Sequence, residues 1–372
     1  MREEQKSEPS STAPPHKEIK KSIVKKKQIK PKQKPTIKKS QKVDTGKGIC
    51  PENPEYINEI FKIEDLNDLI NIIENREINN LDYIKLNNIY NEIKELNNMI
   101  GLQNIKKTIA KQIIYSIQNL SIKNNEYHTV LTGAPGCGKT EIAKILGKIY
   151  LKLSESKYGI FKKVSRSDLV GQFLGDTAIK TQNCIDSCEN GVLFIDEIYS
   201  LGTGDRNKKV DSFAKEAVDT LVNNLIDGNF ICIIAGYARD TQEMFFDLNK
   251  GLDRRFPWKY DISNYTEKEL SQIFINQIYK EKWDIENGLN DYLIYIIKKN
   301  KNLFSNSGGD TANLFTNIKI SHSLRVFCHD INIKKLINKD DITKGLELFL
   351  LQKENELSNN NNDIYMINSM YS

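Results

Sequence analysis

The stretch Val130-Leu-Thr-Gly-Ala-Pro-Gly-Cys-Gly-Lys-Thr140 limits what this chain folds into more than any other part of it. It reads as a strand that runs into a glycine-rich loop and leaves as a helix. Gly133, Gly138, Lys139 and Thr140 fit the spacing G-x-x-x-x-G-K-[ST]. Each residue type has a chemical reason to be there. The glycines let the backbone through Gly133, Ala134, Pro135, Gly136, Cys137 and Gly138 curl so that its N–H groups face phosphate oxygens. Lys139 then reaches the terminal phosphates, and the Thr140 hydroxyl ligates Mg²⁺. From Glu141 to Tyr150 the apolar residues recur at helical spacing, so the positive end of a helix dipole meets the bound anion. A strand before and a helix after argue against a chance glycine turn and for a nucleoside triphosphate site.

Downstream, Gly191-Val-Leu-Phe-Ile-Asp-Glu197 is an apolar run ending in two acids. A continuous apolar run is expected of a strand buried on both faces of a parallel sheet, and ligands bind beyond the C-terminal ends of such strands. Asp196 is thereby placed to hold Mg²⁺ through water and Glu197 to polarise an attacking water. An ordinary strand exit is the competing reading, and the position some 60 residues after the phosphate loop disfavours it. Phe230 to Tyr237 repeats the buried-strand pattern and puts Tyr237 near the γ-phosphate. Leu252-Asp-Arg-Arg-Phe-Pro257 carries Arg254 and Arg255 just ahead of a last strand, Trp258 to Ile262. Ile100 and Gly101, in the turn before the first strand, are expected against the adenine.

The alternation of strands and helices from 127 to 262 indicates an α/β fold: a parallel sheet of the P-loop NTPase kind with helices on both faces. A capping box, Thr266 and Glu269, opens a small all-helical lid domain. The expected organisation is a Lys-rich tail over 1–45, a helical segment over 46–98, the nucleotide domain over 99–263, the lid over 264–353 and an Asn-rich flexible end over 354–372. Apolar residues recur at three and four between Pro51 and Asn98, which reads as packing.

The formal net charge of +5 conceals a division. Residues 17–42 hold twelve lysines against one acid, leaving the body mildly acidic. Such a lysine run suits a targeting signal or phosphate contacts with RNA or DNA, and equally a solubilising tail. No run of about 18 apolar residues occurs, so no membrane partner is expected. The N-terminus lacks a signal peptide's apolar core. An intracellular, cytoplasmic protein is the expectation, with nuclear or virion-associated locations left open. The six cysteines form no C-x-x-C pair, which favours thiols over disulfides or zinc.

Residues 99–350 resemble the AAA+ ATPases, and within them the CbbX/CfxQ-type proteins related to stage V sporulation protein K. The resemblance is carried by LTGAPGCGKTEIAK (131–144), LVGQFLGDTAIKT (169–181), GVLFIDEIYSL (191–201), IIAGYARDTQEMF (233–245) and GLDRRF (251–256). It implies a hexameric ring of identical copies that hydrolyses ATP with Mg²⁺ and remodels a protein client through its pore. It also implies roles: Tyr237 at the sensor-1 position, Arg255 with Arg254 beside it as the arginine finger of a neighbouring site, and Phe173 as the pore-loop aromatic. At the lid's sensor-2 position, where CbbX-like proteins carry arginine, this chain has Ala312. The surrounding Ser307 to Leu314 looks more like the SGADLANL of FtsH-type members, which work without that arginine. Arg325 is a conceivable substitute from the same lid. The alternative function is a nucleic-acid-associated ATPase switch that binds through the basic tail.

Overall fold

The structure, a computed structural model, describes residues 63–75, 81–118, 124–154, 159–173, 175–202, 211–249, 251–329 and 334–370, all within the unit Asn58–Ser372. The basic tail, Cys50 and residues 203–210 lie outside the described residues.

Among the described residues, four α-helices precede the sheet: α1 (Leu66–Asn75), α2 (Leu81–Asn88), α3 (Tyr90–Asn97) and α4 (Gln103–Ile117). Leu66, Leu69, Ile70 and Ile73 form the buried stripe of α1, and Ile93 and Leu96 that of α3. The spacing of three and four predicts this packing face. The nucleotide-binding body then alternates β1 (Thr129–Gly133), α5 (Lys139–Leu153), β2 (Phe161–Val164), α6 (Arg166–Leu169), α7 (Asp176–Asp186), β3 (Val192–Ile195), α8 (Ser212–Asp227), β4 (Ile231–Gly236), α9 (Ala238–Met244) and β5 (Trp258–Ile262).

The five strands form one parallel sheet in the order β2-β3-β4-β1-β5. All four residues of β3 and all six of β4 are buried, as a sheet covered on both faces requires. Successive side chains alternate between the faces. Leu131, Val192, Phe194, Ile231, Ile233 and Ala235 enter one core, shared with α4 and α5. Val130, Leu193, Ile195, Cys232 and Ile234 enter the other, under α7 and α8. Full burial of each large aliphatic side chain is worth about 1.5–3 kcal/mol, so the central strands anchor both layers.

Beyond the sheet lie α10 (Glu267–Lys280), β6 (Asp284–Ile285), α11 (Asn290–Lys299), α12 (Gly308–Arg325), β7 (Leu336–Ile337) and α13 (Lys339–Met370). Among the described residues, β-strand in this helical region is confined to the two-residue parallel pair of β6 and β7. The capping box of α10 forms as its sequence predicts, with Thr266 Oγ1 accepting from the Glu269 N–H and Glu269 from the Thr266 N–H. The last helix runs to Met370, past the Lys353 at which the apolar pattern ends. Once packing has nucleated a helix, each further residue adds one hydrogen bond, so elongation outlasts the apolar stripe.

His128, just before β1, is fully buried between the rings of Phe230 and Phe256, with centroids 5.8 and 5.9 Å away. Its Nδ1 accepts from the Cys232 N–H at 3.0 Å, so Nε2 carries the proton toward the Leu225 carbonyl at 3.2 Å. Burial pushes the imidazole down to about 4 from an ordinary 6.5. Between those values the unfolded chain takes up a proton that the folded one refuses, so stability falls as pH falls through this window. Denaturant unfolding from pH 7 to pH 4 is expected to lose about 3 kcal/mol on this account. His128→Gln is expected to flatten that slope; equal slopes in the two proteins would contradict the assignment.

Candidate nucleotide site

Three loops meet at the C-terminal edge of the sheet. Thr132 of β1 pairs with Gly236 of β4, and Ile234 of β4 with Ile195 of β3, so Asp196, Glu197 and Tyr237 emerge level with the phosphate loop. Adjacent strands are about 4.8 Å apart. The strand that carries the acids is therefore two strands, about 10 Å of backbone, from the one that carries the loop.

The loop is shaped by its backbone. Gly138 caps α5 at φ +95° with no side-chain cap, which leaves the first N–H groups of the helix for an anion. Gly136 is where the lid touches the loop: its carbonyl accepts from the Gly308 N–H at 3.2 Å. A Cβ there would lie 2.1 Å from the Asn306 carbonyl oxygen, so only glycine permits the approach. Lys139 Nζ donates to the Gly133 and Ala134 carbonyls at 2.8 and 2.7 Å and lies 5.1 Å from the ring centre of Tyr237. Pro135 is exposed, and Cys137 packs inward, where burial pushes its thiol up. Glu141 pairs with Lys144 on the exposed side of α5.

Thr140 Oγ1 donates to Asp196 Oδ2 at 3.1 Å. The same carboxylate oxygen accepts from Lys163 Nζ at 2.6 Å, a cation supplied by β2. One hydroxyl and one carboxylate suit Mg²⁺, which keeps waters and draws its remaining ligands from substrate phosphates. Among the described residues no group of three or more His, Cys, Asp or Glu forms a protein-only metal cage. Glu197 adjoins Asp196 in a left-handed conformation, φ +51° and ψ +47°.

Ile100 and Gly101 belong to a turn beside the same loop, where Met99 Cε lies 3.6 Å from a Cβ built on Gly138. Lys106 fixes this turn by donating to the Asn97 and Met99 carbonyls at 2.8 and 2.5 Å. Burial lowers the lysine's pKa, with Asp65 and Glu269 opposing. Tyr265, at the start of the lid, donates to the Cys137 carbonyl at 2.8 Å and holds the back of the loop.

Arg254 and Arg255 are not brought to this site. Trp258 of β5 pairs with Thr129, the first residue of β1, while the phosphate loop begins beyond Gly133, paired with Ile262. At about 3.3 Å per residue the arginines lie more than ~13 Å away along the strands, at the opposite edge of the sheet. Arg254 is exposed, and Arg255 donates to the Gly251 carbonyl at 2.7 Å. Phe173 also stands apart, 71% exposed on the connection between α6 and α7. Arg325 does not substitute at the site. It closes the far end of α12, bound to Asp341 at 2.8 Å. That is 17 residues from Gly308, or about 26 Å of helix. Ala312 is exposed on the second turn of the same helix.

Residues 129–257 match the family described as ATPase family associated with various cellular activities (AAA). A putative cfxQ-like protein of Acanthamoeba polyphaga mimivirus is 32% identical over 332 residues, covering 87% of this chain and 81% of that protein. The chain belongs to the AAA ATPases, in the CfxQ-like group. Two more relatives agree. Stage V sporulation protein K of Bacillus subtilis is 32% identical over 254 residues, covering 65% of this chain and 77% of that protein. A CfxQ homolog of Galdieria sulphuraria is 31% identical over 282 residues, covering 73% of this chain and 91% of that protein. The chain is thus an ATP-binding protein of this family. No helix among the described residues is long and apolar enough to cross a membrane.

Lys163 and Tyr265 escape the sequence reading, because each acts on a residue distant in the chain. Tyr265 offers one signal, an aromatic immediately before a capping box. Tyr265→Phe removes one hydrogen bond to the loop, worth about 1 kcal/mol. ADP binding to the Tyr265→Phe protein is expected to weaken about fivefold. Unchanged affinity by fluorescent-nucleotide titration would refute a role for this contact.

Proposed function

We propose that this CfxQ-like AAA ATPase hydrolyses Mg·ATP at sites shared between neighbouring copies of a six-membered ring, the number the resemblance implies, and uses the cycle to remodel a protein client. Residues 99–263 act as the ATPase body and 264–353 as its lid. One observation carries the shared-site reading: the groups suited to binding and hydrolysis converge at one edge of the sheet, while Arg254 and Arg255 lie at the other.

In this reading the loop from Gly133 to Gly138 cradles the phosphates, Lys139 exchanges its carbonyl partners for phosphate oxygens, and Ile100 and Gly101 border the adenine. Thr140 and Asp196 hold Mg²⁺, which neutralises phosphate charge when bound. Glu197 orients and polarises the attacking water, and Tyr237 faces the terminal phosphate. Arg255 of one copy, with Arg254 beside it, serves the next copy's site. It stabilises the charge on the transferring phosphoryl group. Phe173 grips the client, an extended chain drawn past its exposed ring. A polypeptide client is favoured over nucleic acid here because the candidate gripping residue is a lone exposed aromatic on a glycine-flanked loop.

Glu197→Gln is expected to bind ATP with near-normal affinity and to turn over at least about a hundredfold more slowly. Arg255→Ala is expected to keep ATP binding and to lose about 10³-fold in kcat. Steady-state phosphate release and nucleotide titration on both variants test this. Normal turnover in Glu197→Gln would remove the assignment.

A further inference from the structure

The register of β2 on β3 brings a lysine to the acid suited to Mg²⁺. Lys163 pairs with Phe194, and the Asp196 N–H donates to the Val164 carbonyl at 3.2 Å, so the two strands stay joined to their ends. Side chains two residues apart on a strand share a face. Asp196 therefore follows Phe194 to the face that α5 covers, where Thr140 lies, and Lys163 Nζ sits 5.8 Å from the centre of the Phe194 ring. Lys162, one residue earlier, donates instead to Ser187 Oγ at 2.7 Å.

Both oxygens of Asp196 are engaged. Oδ1 accepts from the Glu197 N–H at 3.1 Å, while Oδ2 accepts from Thr140 Oγ1 at 3.1 Å and from Lys163 Nζ at 2.6 Å. The backbone N–H and the short threonine are held by the turn and the helix that carry them. Lys163 differs from both: it brings a full charge, on a flexible stem whose side chain is half exposed. The Asp196 side chain is only 19% exposed, so water screens the pair incompletely. A lone carboxylate already balanced by an ammonium attracts a divalent ion weakly. Nucleotide phosphates supply the negative charge that reverses this balance.

We propose that Lys163 is a counter-charge at the metal-ligating carboxylate: its ammonium competes with Mg²⁺ for Asp196, so that the site favours the ion only in company with nucleotide phosphates. The proposal rests on the reading of Thr140 and Asp196 as the groups that hold Mg²⁺. A lysine that merely oriented the carboxylate would help the ion to bind; this one opposes it.

The quantity to measure is the gain in affinity for the non-hydrolysable analogue AMP-PNP when EDTA is replaced by saturating Mg²⁺, read by competition with a fluorescent nucleotide. Lys163→Met keeps the stem and removes the charge. Its gain is expected to exceed that of the unmodified protein about fivefold, a modest factor because the ammonium is half in water. Lys163→Gln should behave alike, and Lys163→Arg, which keeps the charge, should match the unmodified protein. Asp196→Asn is expected to shrink the gain, and adding Lys163→Met to it should change nothing further. An equal or smaller gain in Lys163→Met and Lys163→Gln, beside a shrunken gain in Asp196→Asn, overturns the role of Lys163 and leaves the Mg²⁺ reading standing. Weaker AMP-PNP binding in EDTA with no larger gain marks a phosphate contact and overturns it as well. A full gain in Asp196→Asn overturns the reading of that acid and this proposal with it.

Discussion

The backbone curl between Gly133 and Lys139 is the constraint on which the rest of the structure depends. A loop that turns its N–H groups inward needs support from outside, and three parts of the chain supply it. Strand β1 lies between β4 and β5, so the loop leaves from the interior of the sheet. Tyr265 holds the Cys137 carbonyl, and the lid reaches the Gly136 carbonyl through the Gly308 N–H. The last contact bears on the arginine that CbbX-like lids carry and this chain replaces with Ala312. Here the lid meets the phosphate loop backbone to backbone, a contact that does not depend on a side chain at 312. Movement of the loop and of the α12 start are thereby linked.

The same sheet that gathers the binding groups also separates them from the arginines. Parallel strands place their C-terminal ends on one edge, and every loop there faces the nucleotide. Arg254 and Arg255 precede β5 and so belong to the other edge. Within one copy the length of the strands keeps them away from the phosphate loop. Their location suits contact with a neighbouring copy, and Arg254 is exposed there.

Much of this was legible in the sequence where chemistry and local pattern coincide. The apolar runs ending in Asp196 and in Tyr237 predict β3 and β4, and β5 spans Trp258–Ile262 as read. The parallel sheet with a core on each face follows from the same alternation, whereas the strand order does not. What escaped was contact across long separations. Lys163 is 33 residues from Asp196, and Tyr265 is 128 residues from Cys137. Lys163 carries no local signal for such a partner, and Tyr265 only its place before a capping box. The short pair of β6 and β7 is too brief to leave a period-two pattern. Arg325 had the right charge for a lid arginine, but the length of α12 carries it to Asp341 instead.

The central claim is that each working site draws on two copies of the chain. Mixing Glu197→Gln protein with Arg255→Ala protein in equal amounts tests it directly. In a randomly mixed ring about one interface in four joins an intact Glu197 to an intact Arg255. ATP turnover is therefore expected to rise to about a quarter of the unmodified rate, far above either variant alone. A mixture that turns over only at the average of its two components would contradict the account.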